Sequence, residues 1–157
     1  MRWGLPKHAV TDNGARGEYR GAVDAAYRFS ADLSDIDRER VHRWLSEDAY
    51  WALGRSRETQ DAAIDGSRSF GVIDTRTGEQ VAYARVVTDG VTFAWLCDVY
   101  VDPAHRGAGV GVGLIEGVVA AVGARRWVLR TSDAHGLYER FGFEGITDPE
   151  RWMARQG

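Results

Sequence analysis

The stretch Asp98-Val99-Tyr100-Val101-Asp102-Pro103-Ala104-His105-Arg106-Gly107-Ala108-Gly109-Val110-Gly111 decides how the chain is read. It opens as the end of an apolar strand running from Thr92 to Val101 and stops at Pro103. It then passes through a turn dense in glycine and enters a run in which Gly111, Leu114, Ile115, Val118, Val119 and Val122 recur at helical spacing. Glycine lets a backbone come close to a ligand, and successive N–H groups at a helix N-terminus suit phosphate oxygens. The arrangement therefore predicts a pyrophosphate cradle between a strand and a helix. A nucleotide P-loop would close on Gly-Lys-Ser/Thr, which is absent, and a dinucleotide fingerprint would sit in a parallel βαβ unit near the start of a larger chain. Both are excluded. The plainer alternative for Gly107, Gly109 and Gly111 is a loose connection, against which the strand before and the helix after both argue.

Upstream, β-branched and aromatic residues cluster over Ser69 to Asp74 and Gln80 to Val87, on either side of Thr75-Arg76-Thr77-Gly78-Glu79, which predicts a hairpin. The strand from Thr92 to Val101 follows the Asp89-Gly90 turn and is apolar on both faces, so it reads as a central strand that extends the hairpin into an antiparallel meander. Further back lie a strand over Ala26 to Ser30, a helix from Ile36 towards Leu45 capped by Ser34 or Asp35, and a second helix from Glu58 to Asp65 ending at Gly66. Downstream come a strand from Trp127 to Thr131, a short helix from Ala134 to Phe141 and a last strand around Arg151 to Ala154. The second half thus runs ββαβαβ, an α/β domain whose mixed, mostly antiparallel central sheet is flanked by helices. Gly4, Pro6, Gly14, Gly17 and Gly21 mark residues 1–25 as an extended N-terminal arm ahead of a domain over residues 26–157.

A chain of 157 residues with a net charge of −3 fits one compact domain. Its 44% hydrophobic and 27% charged residues exclude a generically disordered chain. The lone cysteine, Cys97, can form neither an intramolecular disulfide nor a Cys-rich zinc site, so a reduced protein without a metal is expected. No stretch approaches the ~20 apolar residues of a membrane span, and Met1-Arg2-Trp3-Gly4-Leu5-Pro6 lacks a signal-peptide core. A cytoplasmic protein without a membrane partner is expected. The 23 acidic residues outnumber 20 basic ones, of which only Lys7 is lysine, and no basic run appears. Nucleic acid is therefore not an expected partner.

Two motifs together resemble the GNAT family of N-acetyltransferases. The acyl-CoA motif Arg/Gln-x-x-Gly-x-Gly/Ala is similar to Arg106-Gly107-Ala108-Gly109-Val110-Gly111, behind a strand that ends Val99-Tyr100-Val101-Asp102-Pro103. The second, Leu-Tyr-x-x-x-Gly-Phe, is matched by Leu137-Tyr138-Glu139-Arg140-Phe141-Gly142-Phe143. The resemblance covers residues 26 to 155 and weakens in the first two helices, where such proteins diverge with their acceptors. It implies a bacterial-type small-molecule acetyltransferase with acetyl-CoA as co-substrate. The pyrophosphate is expected on the N–H groups from Arg106 through Gly107, Ala108, Gly109 and Val110 to Gly111, and the pantetheine arm along Val99, Tyr100 and Val101. The family's central strand splays from its neighbour at this point, often with a bulge, which frees N–H groups for the thioester carbonyl. Tyr138 matches the family's general acid, which returns a proton to the departing thiolate. Core packing with Leu137 and Phe141 is its structural alternative.

Asp98 is the only charge in the apolar run from Phe93 to Val101. An unpaired buried carboxylate needs a partner such as an ammonium, so Asp98 is the candidate base, with acceptor binding or a purely structural role as alternatives. Cys97 stands where many relatives carry glutamate and reads as a small core residue. After Thr131, Ser132 or Asp133 is positioned to touch CoA or to cap the next helix. His105 and His135 read as surface residues.

Acceptor choice is expected from the first two helices and their connection, Trp44 to Arg55. There Trp44, Tyr50 and Trp51 offer apolar surface, and Arg55 is suited to an acceptor carboxylate. Helix packing is the alternative for Trp44. Tyr50 and Trp51 are adjacent and cannot share one helical face. A small amine with an apolar or aromatic portion is the expected acceptor, and homodimerisation stays open. A protein or peptide acetyltransferase and a non-catalytic acyl-CoA sensor are the rival classes, the sensor disfavoured by the presence of Tyr138.

Overall fold

The computed structural model describes residues 25–155; the expected arm over residues 1–25 lies, apart from its last residue, outside them. β1 (Tyr27–Ser30) leads through a 3-10 turn at Leu33–Asp35 into α1 (Arg38–Glu47) and α2 (Arg57–Asp65), and then into β2 (Arg68–Asp74), β3 (Gln80–Thr88) and β4 (Phe93–Val101). After a 3-10 turn at Pro103–His105 come α3 (Val110–Ala121), β5 (Arg126–Leu129) and α4 (His135–Glu139). The strands lie in the order β1-β2-β3-β4-β5, antiparallel throughout except for the parallel β4–β5 pair. The α/β fold with a mostly antiparallel sheet is as the sequence predicts.

Alternation along β3 directs Ala82, Ala84 and Val86 to one face, where Val110, Leu114, Ile115 and Val118 of α3 and Tyr138 of α4 complete a core. Tyr83 points to the other face, with Val41, Trp44 and Leu45 of α1 and Ile64 of α2. Gly117 lets α3 lie directly on the Phe29 ring of β1, which a Cβ there would strike.

Local chemistry moves several expected boundaries. The first helix begins at Arg38, not Ile36, because the Asp37 carboxylate accepts from the Arg40 N–H as its cap, while Asp32 caps the preceding 3-10 turn and Ile36 stays extended and buried. The second helix is capped by Ser56 and ends at Gly66. β4 is not apolar-covered on both faces, since Phe93 and Trp95 are open to solvent. β5 ends at Leu129 rather than Thr131 because its partner strand turns away after Leu96. The short helix spans His135–Glu139 rather than Ala134 to Phe141, and Gly142 at φ +80° turns the chain after it. The strand expected around Arg151 to Ala154 is absent: a 3-10 turn at Pro149–Arg151 follows Asp148 at φ +58°, and exposed residues follow without pairing. Proline lacks the N–H a ladder requires, which fits this outcome.

The decisive irregularity lies in β4. Tyr83 pairs with Tyr100 but Arg85 with Cys97, so β4 carries one residue more than β3 between these pairs, and Asp98 takes φ +51° to absorb it. Pairing with β5 stops at Leu96↔Leu129, so among the described residues β4 beyond the bulge has a partner on one side only.

Candidate active site

Beyond the bulge the Asp102 N–H donates to the Val81 carbonyl of β3. Alternation then points the Tyr100 N–H towards β3 and the Val99 and Val101 N–H groups into the gap vacated by β5. At the end of this gap the chain turns through Gly107 and Gly109, at φ +79° and +78°, values that favour glycine. Gly109 is the N-cap of α3 and no side chain caps this helix. Among the described residues the N–H groups from Gly107 to Val112 donate to nothing, and a Cβ at Gly107 or Gly109 would meet no atom within 4 Å. The loop therefore presents a run of unsatisfied donors to open space, as an anion cradle requires. Gly111 sits deeper, 3.6 Å from Val101 and 4.0 Å from Leu137 by an added Cβ. The Arg106 Nε donates to the Val101 carbonyl at 3.0 Å and its guanidinium lies over the Tyr100 ring, which fixes the loop to the strand.

The segment joining α1 to α2 is strapped over the bulged end of β4. At its start Asp48 accepts from the Tyr100 hydroxyl. At its end Arg55 places Nη1 and Nη2 at 2.8 and 3.2 Å from the two oxygens of Asp98. Burial, with the hydrogen-bonded Asp48 carboxylate, pushes the Tyr100 phenol up to about 12. Between these anchors Tyr50 and Trp51 pack edge to face and are 59% and 45% exposed. The Tyr50 hydroxyl reaches Ser132 Oγ, in the β5–α4 turn.

Asp98 is no unpaired carboxylate. Besides Arg55 it accepts from Arg85 Nε at 2.8 Å, and its side chain is 3% exposed. Burial raises its pKa, but hydrogen bonds and charge from Arg55 and Arg85 outweigh this and hold it below the ordinary value. An anion clamped by two guanidiniums is a poor base, which corrects the expectation of an aspartate awaiting an ammonium. Arg55, expected to hold an acceptor carboxylate, is committed to Asp98 and to Gln60 Oε1 at 2.8 Å. Trp44 is corrected too: it is 8% exposed and stacks on Tyr100 at 5.3 Å between ring centroids, within the core.

Tyr138, in α4, is 8% exposed and sits in the core cluster with Leu137 and Phe141 packed against that cluster. Its ring packs against Phe143, and among the described residues nothing hydrogen-bonds its hydroxyl. Burial, with Asp133 and Tyr50 nearby, pushes its pKa up to about 12, so it keeps its proton throughout the neutral range. Neither Ser132 nor Asp133 caps α4; the Ala134 N–H donates to Thr131 Oγ1 instead. Ser132 is exposed, with its Oγ engaged by the Tyr50 hydroxyl and 3.4 Å from Asp133 Oδ1. Burial raises the Cys97 thiol to about 11, which suits a packing role. His105 faces Tyr27, whose hydroxyl lies 3.0 Å from its Nδ1, and His135 is exposed. Two members of the site escape sequence reasoning, Asp48 and Arg85. Arg85 is the one charge within Val81 to Val87, the same signal that singles out Asp98 on the neighbouring strand.

Among the described residues no three His, Cys, Asp or Glu side chains converge as a metal site, and no helix is long and apolar enough to cross a membrane. The family model for the acetyltransferase (GNAT) domain matches residues 66–145. A Gibberella zeae protein classed as an acetyltransferase is 32% identical over 149 residues, covering 80% of this chain and 78% of its own. A solved GNAT-family protein from Xanthomonas campestris is 43% identical, covers 83% of this chain and 93% of its own, and superposes with a TM-score of 0.78. The ribosomal-protein-S18-alanine N-acetyltransferase of Escherichia coli, at 24% identity, shares the fold with a TM-score of 0.61 over 77% of this chain and 79% of its own.

Proposed function

Since the chain belongs to the GNAT family and is an acyl-CoA-dependent acetyltransferase, we propose that it transfers the acetyl group of acetyl-CoA to the primary amine of a small molecule by direct attack, with Tyr138 as general acid. The observation that carries this is the gap beside β4, with N–H groups of Val99 and Val101 turned into it and the unsatisfied glycine loop at its end.

The Arg106 to Gly111 loop holds the pyrophosphate, with Val99, Tyr100, Val101 and Ser132 along the pantetheine arm. The neutral amine nitrogen attacks the thioester carbonyl carbon and forms the C–N bond. Negative charge moves to the carbonyl oxygen, where the Val99 N–H is set to stabilise it. Collapse breaks the C–S bond, the sulfur takes the Tyr138 proton, and the nitrogen, positively charged since the attack, gives up a proton to water, from which Tyr138 regains its own. The acceptor ammonium loses its proton to water, because Asp98 is held as a clamped anion.

The Tyr50–Ser132 contact narrows the mouth of the gap, which favours a small acceptor over an extended peptide. A screen of amines and peptides for thiol release from acetyl-CoA tests the reading. Turnover of small amines that falls with Tyr138→Phe supports it; acetylation of peptides alone overturns it.

A further inference from the structure

Two guanidinium groups and a single carboxylate are enclosed together where β4 bulges. Arg55 grips both oxygens of Asp98, and Arg85 Nε joins at 2.8 Å. Their formal charges sum to +1. Tyr83 and Cys97 are the other titratable neighbours, and burial keeps both neutral, at about 12 and about 11. A surplus charge in a partly desolvated cluster is unfavourable until an anion joins it.

The open side of the cluster belongs to the arginines. The side chains of Arg55 and Arg85 are 19% and 15% exposed, against 3% for Asp98. Arg85 spends only its Nε on Asp98, and among the described residues nothing bonds its two terminal nitrogens. Fixing the Nε of a planar guanidinium aims the rest of the group, leaving preoriented donors of the kind that carboxylates accept in pairs. Asp98 directly precedes Val99, so the cluster adjoins the backbone proposed to hold the reacting carbonyl. On the same sheet face two residues beyond Arg85 stands Val87, paired with Trp95, and both are exposed.

We infer that Arg85, steadied by Asp98 and Arg55, binds a carboxylate of the acceptor, and that the acceptor is an amine bearing both a carboxylate and an apolar side chain, as an apolar amino acid does. Asp98 and Arg55 are positioning residues here. The inference rests on the small-molecule reading above and narrows it.

The test compares acetylation of apolar amino acids, including phenylalanine and tryptophan, with that of their primary amides and decarboxylated amines. In the intact chain kcat/KM should favour the carboxylates by about 10- to 100-fold, the worth of a lost hydrogen bond to a charged group. Arg85→Met should erase that preference while leaving acetyl-CoA affinity unchanged. Should that variant fail to fold, Arg85→Lys keeps the charge but removes the fork, and should raise the KM of the carboxylate acceptors with little change in kcat. Equal use of amides and amines, or a preference that survives both substitutions, overturns the inference and leaves the small-molecule reading intact. Acetylation of none of this panel, with other amines active in the broader screen, overturns it as well. Activity on peptides alone removes the small-molecule reading and this inference together.

Discussion

The Tyr50 hydroxyl and the Ser132 Oγ meet at 2.6 Å although 82 residues separate them. The contact joins the α1–α2 connection to the β5–α4 turn, across the gap where β4 and β5 part. With the Asp48–Tyr100 and Arg55–Asp98 contacts it makes that connection a strap held at three points. Because the hydrogen bond is exposed and neutral, Tyr50→Phe and Ser132→Ala should each lower stability by no more than about 1.5 kcal/mol. The double variant should be no less stable than the weaker single one. Urea denaturation of all four proteins gives the coupling, and full additivity would mean the two groups do not interact.

Tyr138→Phe keeps the ring against Phe143 and removes the proton. Turnover should fall by about 10²-fold or more, as expected for loss of a general acid, with acetyl-CoA affinity retained. Steady-state kinetics paired with calorimetry checks this, and wild-type turnover would remove Tyr138 from the chemistry.

Gly109 and Gly117 separate binding from packing. Gly109→Ala places a Cβ in open space but at φ +78°, which costs about 1–2 kcal/mol, and it disturbs the N–H groups of the loop. Acetyl-CoA affinity should drop about tenfold or more. Gly117→Ala drives its methyl group into the Phe29 ring and should destabilise by about 1–3 kcal/mol with the affinity of the folded fraction unchanged. Calorimetric titration alongside thermal melts distinguishes the two.

Asp98 has a folded pKa below its ordinary 3.8, so its contribution to stability is present above that value and is lost as pH falls through the folded one. Asp98→Asn should destabilise by about 3–5 kcal/mol near neutrality, since it leaves two guanidiniums without their anion. The difference in stability from the parent should stay level from pH 5 to 8 and shrink below pH 3.8. The basic rise of the pH–rate profile should persist in any residual activity of Asp98→Asn. Its disappearance would restore Asp98 as the base.

Two tryptophans in the same region should respond in different ways. Trp44→Ala empties a core site stacked on Tyr100 and should cost about 3–5 kcal/mol. Trp51 is half exposed, so Trp51→Ala should alter stability by less than about 1 kcal/mol, and it should raise the acceptor KM if the strap borders the acceptor. Melting temperatures and acceptor kinetics decide, and unchanged acceptor preference would take Trp51 out of the site.

The meander, the glycine turn and the helix after it are legible in the sequence because each rests on local chemistry: alternation, positive-φ glycines and a helical apolar repeat. The Ile36 boundary is not, since the expected caps, Ser34 and Asp35, are spent inside a 3-10 turn that Asp32 caps, and α1 starts afresh after Asp37. The role of Asp98 was half visible. Its isolation in an apolar strand signals a partner, yet the partners, Arg55 and Arg85, come from 43 and 13 residues away, and one is reached only across α2, β2 and β3. Trp44 and Trp51 carry the same side chain seven residues apart, and their opposite fates depend on where the helix ends: Trp44 lies in α1 and stacks on Tyr100, whereas Trp51 lies beyond Glu47 in the connection. The final expected strand failed because Asp148 in the left-handed region and Pro149 start a 3-10 turn that runs through Arg151, and the residues after it stay exposed.

The extra residue in β4 also works as a parity inverter. Before it, even-numbered Ala94 and Leu96 enter the core beneath α3; after it, odd-numbered Val99 and Val101 pack there and even-numbered Tyr100 crosses to the α1 side. A regular strand of the same length would send Tyr100 under α3 and both valines towards Trp44, whereas deleting Asp98 would restore plain alternation, keep these three side chains on their present faces and remove the kink together with its carboxylate. The inserted residue thus alters the ladder at one point and leaves the packing on either side of it in place, and two residues on one strand facing one on its neighbour would be the signature by which to recognise the same site in other chains.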